Sequence, residues 1–133
     1  LDSAMTGFYS LAMAHAVLII DDSMIARMAI KNFLSTTGAS LHEAPCGEDG
    51  LALLDGGLEP SIVYLDLTMP GIGGAETLRQ IRARRPALPV VVITADVQAQ
   101  TLEELGTLGV SGVIRKPADK VTVLTWYGKA TAQ

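Results

Sequence analysis

"IVYLDLTMPG", residues 62–71, reads as a strand covered on both faces that ends in a charge. Ile62, Val63, Tyr64 and Leu65 form the unbroken apolar run that a strand between two helical layers requires. Asp66 then closes the run, and Pro70 and Gly71 mark the turn that follows. A carboxylate at the inner end of a buried strand is costly unless something pairs with it. Asp66 must therefore meet partners brought from elsewhere in the chain.

On either side of Asp66 the chain alternates two kinds of segment. Short apolar runs fall at 16–20 ("AVLII"), 62–66, 90–94 ("VVVIT") and 111–115 ("SGVIR"), with a weaker, more polar strand at 39–44 ("ASLHEA") that suits a sheet edge. Helical patterns lie between them. Residues 24–36 place Ile25, Met28, Ala29 and Phe33 on one stripe, with Gly38 as the stop. Residues 48–56 carry Leu51 and Leu54, and residues 74–84 carry Leu78 and Ile81 before Pro86. Residues 98–108 carry Leu102, Leu105 and Leu108, and residues 119–130 turn Val121 and Leu124 to one side. Val121, Thr122, Val123 and Gly128 weaken that last helix. The sheet nevertheless needs cover there. Strict strand–helix alternation predicts an α/β fold, a doubly wound parallel sheet with helices on both faces.

The whole chain fits one such domain. Its 133 residues are 49% hydrophobic and 18% charged, with a net charge of −4. No basic stripe grips a phosphate backbone, so direct nucleic-acid binding is not expected. Arg79, Arg82, Arg84 and Arg85 end a helix, where they complement its dipole. Cys46 is the single cysteine, which forbids an internal disulfide and suits a reducing cytoplasm. His15 and His42 stand apart as packed or exposed residues rather than ligands. No apolar run reaches the ~20 residues of a membrane helix, and residues 1–20 lack the basic start of a secretion signal. Residues 1–12 match no element of the pattern and read as an N-terminal arm or a foreign remnant. The domain is expected over residues 13–133.

In such sheets ligands bind beyond the carboxyl ends of the strands. That edge collects Asp21 and Asp22 after the first strand, Asp66 and Thr94 at the ends of theirs, and Lys116 after the last. Like charges ~4 Å apart at an effective dielectric near 20 repel by about 4 kcal/mol per pair. Lys116 offsets one carboxylate and not three. An all-oxygen site of this kind suits Mg²⁺, which keeps several waters and takes few protein ligands; Mn²⁺ is an alternative. A phosphoryl donor brought there would meet Asp66 as an in-line nucleophile, with Thr94 and Lys116 placed for its other oxygens. The plainer reading is that Asp21 or Asp22 caps the helix starting near Ser23 while Lys116 pairs with Asp66.

The ordered set "LIIDDS" (18–23), "YLDLTMPGIGG" (64–74), "VVVITA" (90–95) and "IRKPAD" (114–119) resembles the receiver domain of two-component response regulators, the CheY-like, flavodoxin-like fold. The resemblance spans roughly residues 15–130 and implies five parallel strands in the order 2-1-3-4-5 flanked by five helices. It further implies that Asp66 is the phosphoacceptor and that Asp22, Asp66 and the Thr68 carbonyl bind Mg²⁺, with Asp21 supporting the metal through water. Thr94 and Lys116 then hold the phosphoryl group, Pro117 forms a cis-proline junction, and Thr68 and Asp96 tune phosphoryl lifetime. Val113 takes a switch position often filled by Tyr or Phe, so an aromatic readout is missing.

The implied partners are a histidine kinase or phosphotransfer protein and an output protein of unknown identity, docking on the last helix–strand–helix face. The implied molecule is cytoplasmic, a monomer or weak homodimer, with no substrate to turn over. Two alternatives remain at this level. One is a pseudo-receiver that binds proteins without phosphate control, which Val113 keeps open. The other is a phosphatase of the haloacid-dehalogenase type, which wants an acid where Thr68 stands.

Overall fold

The computed structural model describes residues 14–132, so the expectations for residues 1–12 lie outside the described residues. Among the described residues five strands alternate with five helices: β1 (Ala16–Ile20), α1 (Met24–Leu34), β2 (Ser40–Ala44), α2 (Gly47–Asp55), β3 (Ile62–Asp66), α3 (Gly73–Arg84), β4 (Val90–Thr94), α4 (Ala99–Thr107), β5 (Gly112–Arg115) and α5 (Lys120–Thr131). The strands form one parallel sheet in the order β2-β1-β3-β4-β5. The expected fold class and strand order are what the chain adopts.

Side chains alternate across the sheet and divide the core into two layers. Leu18, Ile20, Val63, Leu65, Val90 and Val92 point to the layer closed by Leu51 and Leu54 of α2, Leu78 and Ile81 of α3, and Leu105 of α4. Val17, Ile19, Ile62, Tyr64, Val91 and Ile93 point to the layer closed by Ile30 and Leu34 of α1 and Val123 of α5. The Tyr64 hydroxyl would be stranded in that layer, but it donates to the Val123 carbonyl at 2.7 Å and ties β3 to α5. Burial pushes its phenol pKa well up.

Three helix faces differ from the sequence expectation. In α1, Ile25 and Met28 are 78% and 56% exposed, and Ile30 and Leu34 face the core instead. The helix carries two apolar rows, and periodicity alone does not say which row meets the sheet. In α5 Val121 is exposed and Val123 is buried; in α4 Leu102 is 40% exposed while Leu105 is buried. The α5 helix forms despite its β-branched residues because Asp119 caps it, accepting from the Thr122 amide at 2.8 Å.

The arginine cluster is used up inside the molecule. Arg84 bonds Asp55, Arg82 donates to the Gly109 and Leu88 carbonyls, Arg85 reaches the Leu54 carbonyl, and Arg79 pairs with Glu76. His15 Nδ1 shares a 2.7 Å hydrogen bond with Ser61 Oγ, and His42 Nε2 one of 3.2 Å with Ser40 Oγ. Among the described residues no helix is long and apolar enough to cross a membrane.

Candidate functional site

The winding of the chain reverses between β1 and β3, and their carboxyl ends are neighbours, with Ile20 opposite Leu65. The next residue of each strand is an aspartate. Asp21 and Asp66 are buried, Asp22 is exposed, and the three offer carboxylate oxygens that all lie within 4.8 Å of one another.

The charges are managed unevenly. Asp66 Oδ1 receives Lys116 Nζ at 2.8 Å and the Thr68 amide at 3.3 Å. Asp66 Oδ2 is buried with no hydrogen-bond partner. Asp21 Oδ1 accepts the Ser23 amide at 2.9 Å. Burial raises the Asp21 pKa above the ordinary carboxylate range; the Ser23 amide opposes that rise and the charge of Asp66 adds to it. Burial pulls the Lys116 pKa down, but the hydrogen bond and charge of Asp66 outweigh it, and the net shift is upward. The helix-capping duty falls to Ser23, whose hydroxyl accepts the Ala26 amide at 3.2 Å. Neither carboxylate of the acidic pair is needed for it.

Gly74 brings α3 close against the backbone that carries Asp66. A methyl group there would lie 2.6 Å from the Asp66 carbonyl and 2.5 Å from the Leu67 carbonyl, so α3 can press against the end of β3 only with glycine at that point.

On the other side, Thr94 is buried at the end of β4, and its hydroxyl accepts the Asp96 amide at 3.0 Å. The exposed Asp96 carboxylate accepts the Gln98 amide at 3.1 Å and the Thr101 hydroxyl at 2.7 Å, bonds that hold its pKa down. Val113 is half-buried beside the α4 layer, paired in register with Val92. On the opposite face Trp126 of α5 covers Gly112. The Lys116–Pro117 peptide is cis. The fold thus brings Asp21, Asp22, Asp66, Thr68 and Lys116 together, with Thr94 ending the adjacent strand, Asp96 bonded to the start of α4 and Val113 packed against the core.

One residue at the pocket had no sequence signal. Arg27 Nη1 donates to the Asp21 carbonyl at 2.7 Å. It reaches back from α1 to a main-chain atom, a contact that periodicity and motif spacing do not encode.

The description "Response regulator receiver domain" fits residues 17–126 of the chain, and the chain belongs to that family. Chemotaxis protein CheY-3 of Vibrio cholerae is 36% identical over 110 residues, covering 80% of this chain and 84% of its own. A protein-glutamate methylesterase/protein-glutamine glutaminase of Trichodesmium erythraeum is 38% identical over 107 residues, and Regulator of RpoS of Escherichia coli is 35% identical over 101. These matches cover 77% and 76% of this chain but only 30% of the length of each of those two relatives. Among solved structures, the receiver domain of NtrX from Brucella abortus superposes with a TM-score of 0.79 at 26% identity, over 86% of this chain and 97% of that one. CheY4 of Vibrio cholerae shares the fold with a TM-score of 0.81 at 23% identity, over 88% and 98%.

Proposed function

We propose that residues 13–133 form a receiver that accepts a phosphoryl group on Asp66 from a phosphohistidine of a kinase or phosphotransfer protein. The observation that carries this is the buried Asp66 Oδ2, left without a partner where three carboxylates converge. A hard divalent cation is the group whose charge and coordination habits fit that oxygen set. Asp21, Asp22, Asp66 and the Thr68 carbonyl would hold Mg²⁺, with Mn²⁺ as a substitute, and the ion would supply positive charge against the incoming phosphoryl oxygens.

The residues divide the remaining work. An Asp66 oxygen forms the new P–O bond as the P–N bond to the donor imidazole breaks, and the electron pair returns to the ring. Lys116 gives up Asp66 Oδ1 for a phosphoryl oxygen; its side chain, 34% exposed, has room to move. The Thr94 hydroxyl donates to a second oxygen. Thr68 and Asp96 flank the path of the hydrolytic water and set the lifetime. The signal leaves through the α4–β5–α5 face to a protein partner, in the cytoplasm, and the domain turns over no substrate of its own.

Intact mass after treatment with acetyl phosphate tests the reading. One phosphoryl group is expected, only with Mg²⁺ present, and none on Asp66→Asn. Labelling of Asp66→Asn to the parent's extent, or labelling of the parent without any divalent ion, refutes it.

A further inference from the structure

Arg27 is the fourth residue of α1, and the chemistry above makes no use of it. Its Nη1 donates to the Asp21 carbonyl at 2.7 Å while its Nε donates to Glu43 Oε1 of β2 at 3.1 Å. Only 14% of the side chain is exposed. Glu43 is itself held by Lys31 Nζ at 2.8 Å, and these two cations keep its pKa low. An exposed ion pair with Glu43 would be worth little on its own. The bond to the Asp21 carbonyl is different, because that carbonyl belongs to the peptide joining the two aspartates of the pocket. The peptide is planar and contains both Cα atoms, so holding its oxygen restrains the two points from which the side chains project. Two further bonds complete the frame: the Asp21 amide to the Ala44 carbonyl at 3.1 Å, and the Ser23 amide to Asp21 Oδ1 at 2.9 Å.

We propose that Arg27 is a positioning residue for the carboxylate cluster. Guided by Glu43, it grips the Asp21–Asp22 peptide in the orientation that lets both carboxylates meet Asp66, and so sets cation affinity. The inference rests on reading the cluster as a Mg²⁺ site.

A purely electrostatic role would have the opposite sign. A guanidinium beside an acidic pocket repels another cation, so removing it would tighten Mg²⁺ binding, most of all at low ionic strength. Positioning requires removal to weaken it. Arg27→Met keeps the packed stem and deletes every donor. Arg27→Lys keeps the charge and deletes the planar fork that spans Asp21 and Glu43.

Mg²⁺ titration calorimetry on the parent and both variants, with amide exchange at Ser23 measured in metal-free protein, decides the matter. Both variants are expected to bind Mg²⁺ roughly tenfold more weakly and to exchange the Ser23 amide faster before metal is added. Lys31→Gln, which removes only the outer partner of Glu43, is expected to retain the parent's affinity. Unchanged or tighter Mg²⁺ binding by Arg27→Met, or parent-like affinity in Arg27→Lys, overturns the proposal. If the parent itself binds no Mg²⁺, the reading of the cluster fails instead. Ser23 exchange then still decides whether Arg27 orders the loop, and parent-like exchange in both variants overturns that.

Discussion

Lys116 Nζ sits 2.8 Å from Asp66 Oδ1, while Oδ2 of the same carboxylate is buried and unpartnered. The lysine therefore balances one oxygen of the carboxylate and leaves the other to the cation proposed above. Lys116→Met should leave the buried Asp66 charge without its counter-ion. The expected loss is about 1–2 kcal/mol in metal-free urea unfolding, below the cost of breaking a fully buried pair because Lys116 is partly solvated. Mg²⁺ should stabilise this variant more than the parent, since the metal takes over the missing charge. Equal Mg²⁺ stabilisation of the two proteins would contradict that division of labour.

Asp21 makes the complementary case. Its pKa is raised in the fold, first by burial, so ionisation is harder there than in the unfolded chain. Below the ordinary carboxylate pKa both states are protonated and the residue has no effect. As pH rises through the ordinary value and then the raised one, the unfolded chain releases its proton first and stability falls. Above the raised pKa the loss is complete. Asp21→Asn, which can still accept the Ser23 amide, should melt higher than the parent at pH 7 without metal and equally at strongly acid pH. Its gain from added Mg²⁺ should shrink. Thermal scans across pH, with and without Mg²⁺, measure all three.

Gly74→Ala should place its methyl 2.5 Å from the Leu67 carbonyl and force α3 away from the strand end that carries Asp66. Backbone cannot yield as a flexible side chain does, so the expected cost is about 3 kcal/mol, the upper part of the overpacking range. Mg²⁺ affinity should fall with it. Parent-like stability in urea would show that the contact relaxes freely.

The Thr94 hydroxyl accepts the Asp96 amide, and Asp96 in turn holds Gln98 and Thr101 at the start of α4. If the Thr94 side chain moves toward a phosphoryl group, it displaces the oxygen that holds this amide, and α4 is tied to it. On the proposed reading, beryllofluoride and Mg²⁺ should alter amide exchange across residues 94–107, and Asp96→Ala should blunt the change in α4. Protection changes limited to Asp66 and its neighbours would mean that this route carries no signal.

The class of fold and the edge that carries the candidate site were legible in the residues alone. Both follow from short-range patterns: apolar runs of strand length, helical periods between them, and the polar residue closing each run. "IVYLD" could be read as a buried strand with a charge at its mouth because burial on both faces leaves a local signature. Features that depend on how the elements are rotated and spaced emerge only in three dimensions. Ile30 and Leu34, not Ile25 and Met28, face the sheet because α1 offers two apolar rows and the packing against α5 and the strands selects one. Ser23 rather than an aspartate caps α1, Trp126 fits against Gly112, and Arg27 reaches the Asp21 carbonyl, each through a distance that residue spacing does not specify. The two oxygens of Asp66 are equivalent in the sequence. They become different only when Lys116, arriving from the far end of the chain, can reach just one of them.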